Sequence, residues 1–261
     1  ELFVDKQSSG PFAHWEHRHA FSTIDDQTSM LKDSVSYRLP LEPLSRLVLP
    51  WVKKQLEAMF AFRHQRTLHD LSVLQVYASK PRLKIAVTGP SGLLGKQLIA
   101  FLRGGGHQVF PMVRRKAQSS CEIEWSVDGF DPEPLEGVDA VIHLAGEPIL
   151  GRWTTQKKER ILKSRVAGTN ALVDALEQLN EPPKTLISAS AIGYYGHVEN
   201  EECSESSERG TGFLSQVCSE WENSALRAEA KGIRVVLPRI GVVLSGLGGA
   251  LKQMLPPFYF G

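Results

Sequence analysis

Apolar and polar positions follow two different rhythms along this chain. Residues 12–21 and 29–39 read as strands of an antiparallel sheet, joined by the polar turn Asp25-Asp26-Gln27. Pro40 to Pro43 breaks that pattern. From Leu44 to about Leu71 apolar residues recur at helical spacing (Leu47, Trp51, Leu56, Met59, Phe60), which predicts one long helix. Beyond Ser79-Lys80-Pro81 short apolar runs alternate with helical patterns. Strands are predicted at 85–87, 106–115, 139–146, 184–190 and 232–239. Helices are predicted after Gly95, over Val166–Leu179 with small Gly168 and Ala171, and over Phe213–Lys231. Strand and helix in alternation predict an α/β fold with a doubly wound parallel sheet over 80–261, preceded by a smaller α+β segment over 1–79.

The first strand of that sheet runs into Thr88-Gly89-x-x-Gly92-x-x-Gly95, and an apolar helix leaves it. Strand, glycine turn and helix form the fingerprint of a Rossmann-type dinucleotide site. Gly89 allows the tight turn, Gly92 admits a pyrophosphate, and Gly95 lets the helix pack on the sheet. The free N–H groups of the turn and first helical residues (Ser91, Gly92, Leu93, Leu94, Gly95) face the phosphates.

The second strand bears on which nucleotide. An acid that binds the ribose in NAD sites falls about 20 residues beyond the glycines. Val113 stands there instead, followed by Arg114 and Arg115. A guanidinium grips a 2′-phosphate that a carboxylate would repel, so NADP is expected over NAD. A solvated loop is the alternative reading of the two arginines. Ligands of such sheets lie beyond the carboxyl ends of the strands. Those ends carry Leu144, Ala145, Gly146 and Glu147, then Ser188 to Tyr195, and Arg239.

Composition narrows the class. Net charge is +1 with both signs interspersed, which offers no footprint for nucleic acid or membrane surface. No apolar run reaches membrane-spanning length. Three scattered cysteines (Cys121, Cys203, Cys218) read as reduced thiols of a cytoplasmic protein. The chain opens on Glu1, as a fragment or processed form would.

Two clusters in 1–79 invite a functional reading. Of His14, His17 and His19, only the last two share a strand face, and no acid or cysteine follows at metal spacing, so they read as solvated or core histidines. Arg63, His64, Arg66 and His69 read as a basic helix end complementing the helix dipole.

Longer motifs carry a family resemblance. The glycine turn, His143-Leu-Ala-Gly146-Glu147-Pro, Val166-x-Gly-Thr169, Ser188-Ala-Ser-Ala-Ile-Gly-Tyr-Tyr-Gly196, Trp221-Glu222 and Arg239-Ile-Gly-Val-Val-Leu are together similar to atypical extended short-chain dehydrogenases/reductases of the epimerase-like family. The opening Gly10-Pro-Phe, the Asp33-Ser-Val-Ser-Tyr-Arg strand and the Phe60-x-x-Arg63-His helix resemble the C-terminal part of a START-like helix-grip domain, which implies a hydrophobic ligand there. The epimerase-like match stops at Leu255-Pro-Pro-Phe-Tyr-Phe-Gly261, where such proteins continue into a substrate lobe.

The resemblance implies a serine, a tyrosine and a lysine four residues on as the catalytic set. With Glu222 on the acid that follows them in the family, Leu214 and Cys218 fall on the tyrosine and lysine positions, and neither has the required proton or fixed charge. Arg165 replaces an asparagine. Ser190 or Ser188 remains, and Tyr194 or Tyr195 either offers a substitute phenol beside Arg165 or packs the turn, as Tyr195-Gly196 does across the superfamily it resembles. Glu147 is a further candidate, or a loop partner for Arg152. The expected function is an NADP(H)-dependent oxidoreductase or epimerase acting on a small hydroxyl, carbonyl or sugar-nucleotide-like substrate. The alternative is a cofactor-binding sensor or scaffold without turnover.

Overall fold

The computed structural model describes residues 1–26, 28–199 and 201–260. The expected Asp25-Asp26-Gln27 turn is therefore described only in part, since Gln27 lies outside these residues, as does the terminal Gly261. The chain divides into two compact units, Glu1–Ala78 and Ser79–Gly261.

In the first unit β1 (Leu2–Lys6), β2 (His14–Thr23) and β3 (Ser29–Arg38) form an antiparallel sheet in that order. A 3₁₀ turn over Leu44–Val48 leads into α1 (Leu49–Val76). The helix starts and ends about one turn later than periodicity predicts. Pro50, which has no N–H to lose, takes a first-turn position. No proline or glycine then interrupts the chain before Pro81. Trp51 and Met59 fit the apolar period yet are exposed, and the half-buried stripe is Val52, Leu56 and Phe60 at four-residue spacing.

The histidines of β2 have acidic partners that linear spacing could not reveal. Asp5 lies opposite His17 in the β1–β2 register, and Asp33 lies opposite His19 in β2–β3. His17 and His19 are buried. His64 is mid-helix, not at a helix end, and donates to Asp33 at 2.8 Å. The dipole account of that residue is thus replaced by a specific carboxylate.

The second unit opens with β4 (Lys84–Thr88), α2 (Leu93–Gly104), β5 (Gln108–Val113) and β6 (Ile123–Glu124). It continues through β7 (Ala140–His143), α3 (Thr155–Glu177), β8 (Thr185–Ser188), β9 (Ser190–Ala191), α4 (Phe213–Leu226), β10 (Arg234–Val236), β11 (Arg239–Ile240), β12 (Leu244–Ser245) and α5 (Gly249–Phe260). Six parallel strands lie in the order β10-β8-β7-β4-β5-β6. The alternation of strand side chains supplies both faces. Ala86, Met112, Val141 and Leu186 pack with Leu172 and Leu176 of α3, whereas Ile85, Val87, Val109 and Ile142 pack with Ile99 of α2. This is the doubly wound sheet that the alternation of elements predicts.

Three elements depart furthest from the sequence pattern. α3 begins at Thr155, well before Val166, because the Thr154 hydroxyl caps it by accepting from Lys157 N at 3.2 Å. Its first turns are polar, so apolar periodicity is silent there. The run 232–239 is not one strand: proline cannot donate to a ladder, and beyond Pro238 the chain forms a separate two-stranded ladder, β11 with β9. α4 ends at Leu226 and tightens to a 3₁₀ turn over Arg227–Lys231. The three cysteines are free, and no described helix is long and apolar enough to cross a membrane.

Candidate nucleotide and active site

β4 delivers the chain to Gly89, which has φ +68 and so turns where an L side chain would be strained. A Cβ on Gly95 would stand 2.2 Å from the Gly89 carbonyl oxygen. The close approach that demands this glycine is therefore to the turn itself, not to the sheet. Gly92 is different. Its backbone (φ −70, ψ 167) suits any residue, and a Cβ there would meet only the Gly89 oxygen, at 3.2 Å, before entering open space. The amides of Leu93, Leu94 and Gly95 have no carbonyl one turn back to bond, so the cradle offers unspent donors. Ser91 and Leu94 beside them are exposed.

Thr88 locks this turn to the next strand. Its hydroxyl oxygen accepts from Leu144 N at 3.0 Å and Ala145 N at 3.1 Å, which fixes the Leu144-Ala145-Gly146 segment. The Thr88 proton then goes to His143 Nδ1, 2.8 Å away, so the ring carries its own proton on Nε2. That Nε2 is buried without a polar partner, as is the Ser188 hydroxyl beside it in register. Burial pulls the His143 pKa down to about 4, and the ring is neutral at neutral pH. Sequence reasoning assigned no role to Thr88 or His143. The signal available was a hydroxyl residue and an imidazole at the carboxyl ends of neighbouring predicted strands.

The two arginines after β5 part company. Arg115 is held by Glu122 through bonds of 2.8 and 2.6 Å, and those bonds, with the Gln118 amide, bring the Glu122 pKa to about 2. Arg114 is exposed and bonds to no described side chain. Val113 is buried.

Glu147 and Arg165 form one polar group. The Glu147 carboxylate bonds Lys157 at 2.8 Å and lies 3.5 Å from Arg160. Arg152 is not its partner. The Lys157 bond is the main force holding this carboxyl below its usual range. Arg165 donates to the Glu147 carbonyl at 3.0 Å and packs over the Trp221 ring, 5.0 Å from its centroid.

A second group gathers at Glu222, a buried acid on α4. Arg239 of β11 donates to both its oxygens at 2.9 Å, and the Ser190 hydroxyl donates to Oε1 at 2.5 Å. Arg239 also donates to the Tyr195 hydroxyl at 2.9 Å and lies over the Tyr194 ring. The cation beside Tyr194 is thus Arg239 and not Arg165. Tyr195 in turn donates to the Ser204 carbonyl. Leu214 and Cys218, one turn apart on α4, both face Gly193 of the intervening 3₁₀ turn. Burial raises the Cys218 thiol pKa, so it supplies neither a base nor a cation there.

A parallel sheet with a glycine turn at its first strand and polar groups at the carboxyl ends defines a dinucleotide-binding α/β protein. The chain belongs to the NAD dependent epimerase/dehydratase family, which matches residues 85–256. The epimerase family protein Mb2239 of Mycobacterium bovis is 42% identical over 180 residues, 68% of this chain and 59% of that protein. The chain thus spans about three-fifths of the length of this relative. Among solved structures, the nucleoside-diphosphate sugar epimerase from Corynebacterium glutamicum is similar over 100% of this chain and 54% of its own, at TM-score 0.81 and 33% identity. The human epimerase family protein SDR39U1 (isoform2), solved with NADPH, is similar over 69% of this chain and 60% of its own, at TM-score 0.61 and 31% identity.

Proposed function

We propose that the second unit binds NADP(H) at the glycine turn, and that the full-length protein is an atypical oxidoreductase or epimerase for a small hydroxyl, carbonyl or sugar-nucleotide-like substrate. The observation that carries this reading is the cradle at Gly92, where a Cβ would meet only the Gly89 carbonyl oxygen and would crowd the space beside unspent helix N–H groups. Buried Val113 and unengaged Arg114 favour the phosphorylated nucleotide. The NADPH in the human relative's structure supports the same choice.

The nicotinamide supplies or accepts the hydride when bound. Ser190 has committed its proton to Glu222, so its oxygen is left to accept a hydrogen bond from a substrate hydroxyl. Tyr194 is the phenol placed against a fixed cation and is the candidate proton donor. Glu147 stays ionised beside Lys157 and therefore serves as a hydrogen-bond acceptor, not an acid. Arg165 holds the loop carrying Glu147.

A second reading, a nucleotide sensor without turnover, is favoured by Leu214 and Cys218 at the two positions against Gly193. Titration of the full-length protein with both nucleotides tests the shared part: NADPH should bind at least roughly tenfold tighter than NADH. Equal affinities overturn the cofactor assignment. Tight binding without turnover on a panel of carbonyl compounds and sugar nucleotides selects the sensor.

A further inference from the structure

The first unit holds a side-chain cluster that the nucleotide site does not use. Strand pairing places Asp5, His17, His19 and Asp33 on one face of the three-stranded sheet. Asp33 is the common partner. Its Oδ1 accepts from His17 Nε2 at 2.8 Å and lies 2.9 Å from His19 Nδ1, and its Oδ2 accepts from His64 Nε2 at 2.8 Å. The Asp33 side chain is only 4% exposed. Burial pushes its pKa up, but hydrogen bonds from His64 and His17 outweigh that, and it is held below the ordinary value.

His19 Nε2 meets a second carboxylate, Asp5 Oδ2, at 3.2 Å. Three observations point to a metal ion at this corner of the cluster. Asp5, His17 and His19 each offer a ligand atom, and the three atoms lie within 4.8 Å of one another. The 3.2 Å separation of His19 Nε2 and Asp5 Oδ2 matches two ligands on one tetrahedral ion, about 3.3 Å apart for bonds near 2.0–2.1 Å. His17 also donates a ring N–H to the Asp33 carboxylate, the arrangement that orients metal-bound histidines.

We propose that Asp5, His17 and His19 bind a first-row divalent transition metal, with Asp33 as the positioning carboxylate. Two imidazoles with one carboxylate suit zinc or iron better than calcium or magnesium, which take oxygen ligands. Charge balances as well, since two carboxylates neutralise one divalent ion. Phe3 stands 5.5 Å from the His19 ring and Phe60 5.2 Å from the His17 ring, so apolar rings flank the pair. The Asp5 side chain, 54% exposed, leaves an entry path and a position for water.

The test uses the full chain, stripped with chelator and titrated with Zn²⁺ by calorimetry and with Co²⁺ by visible absorption. Saturable binding of a single ion, with the d–d bands of a nitrogen- and oxygen-ligated Co²⁺, is expected. Asp33→Asn should weaken Zn²⁺ binding about 10–100-fold, as loss of a metal's outer carboxylate does. Asp5→Asn and His19→Gln should weaken it at least as much, while His14→Gln, on an exposed position of the same strand, leaves it unchanged. Should His19→Gln fail to fold, Asp5→Asn carries the test, its melting temperature without metal serving as the check on folding. Absence of saturable binding overturns the proposal, as does binding that survives Asp5→Asn. NMR showing His19 Nε2 still bearing a proton with Zn²⁺ at saturating concentration would overturn it too.

Discussion

The guanidinium of Arg239 lies over the ring of Tyr194, its Cζ 3.5 Å from the ring centroid. A cation over a ring face is attracted to the π-electrons and, once desolvated, contributes up to about 2 kcal/mol. The same guanidinium is held in both its other directions by Glu222 and the Tyr195 hydroxyl. The β9–β11 ladder brings Ser190 alongside Arg239 in register. One buried ion pair therefore sets the positions of Ser190, Tyr194 and Tyr195 together.

Removing one partner of that pair should be costly. Arg239→Met leaves Glu222, 7% exposed, without its counter-ion. A loss of about 3–5 kcal/mol in urea unfolding is expected for this single variant. The double variant Arg239→Met, Glu222→Gln should recover part of it, because no unpaired charge remains. Equal losses in the single and double variants would show that packing over Tyr194, not charge, is what matters.

Cofactor choice should rest on one arginine of the two. Arg114→Ala should erase most of the preference for NADPH over NADH, on the order of 1.5–3 kcal/mol for a lost charge-assisted contact. Arg115→Ala should leave the ratio of dissociation constants unchanged, since Arg115 is already committed to Glu122. Isothermal titration of both variants separates the residues, and a ratio that moves only with Arg115 would reverse the assignment.

The glycines of the turn should also separate by experiment. Gly92→Val places a branched side chain where the proposed pyrophosphate would lie and should abolish nucleotide binding with little change in melting temperature. Gly95→Ala should disturb the turn itself, because its Cβ would overlap the Gly89 carbonyl. Unchanged affinity in Gly92→Val would reduce the motif to a structural loop.

What the sequence made legible here was what repeats locally. Five of the six strands of the parallel sheet and the glycine turn follow from apolar runs a few residues long, and from three glycines at fixed spacing, whereas the two-residue β6 is too short to read. Partnerships between distant segments were not legible. That Arg115 belongs to Glu122, Tyr194 to Arg239 and His19 to both Asp33 and Asp5 depends on strand register and loop path, which no linear spacing encodes. Glu222 was visible only as a landmark beside Trp221. Its role as the hub of the buried network appears once β11 is placed against β9. The polar start of α3 escaped for a simpler reason: a capped, solvent-facing helix end has no apolar period to read.

Stability should carry the mark of His143. Its folded-state pKa, about 4, lies below the ordinary histidine value because burial disfavours the charged ring. Between about pH 6.5 and pH 4 the unfolded chain binds a proton that the folded chain refuses. The contribution is complete above that window and is lost as pH falls through it, by on the order of 3 kcal/mol at 1.36 kcal/mol per pKa unit. His143→Gln should flatten this part of the stability–pH curve relative to the parent. A variant curve parallel to the parent between pH 6.5 and 4 would show that other groups set the slope.

The chemistry of the full-length protein should be slow and should depend on a phenol. With Leu214 and Cys218 where relatives are expected to keep a tyrosine and a lysine, the usual general acid is lost, and such groups contribute roughly 10²–10⁴-fold each. Tyr194 against Arg239 is the replacement that the geometry offers, a phenol placed beside a fixed cation. Tyr194→Phe should therefore lower kcat with NADPH by about 10²-fold or more while leaving the NADPH dissociation constant unchanged. Glu147→Gln should act differently. Its carboxylate accepts from Lys157 and stays ionised, so its loss should raise KM more than it lowers kcat. Brisk turnover that survives Tyr194→Phe would place the proton donor elsewhere, and a kcat loss confined to Glu147→Gln would move it to the other polar group. The pH profile discriminates further: a phenol acting as the acid gives activity that falls at high pH, whereas a carboxyl acid would lose its proton well below neutrality.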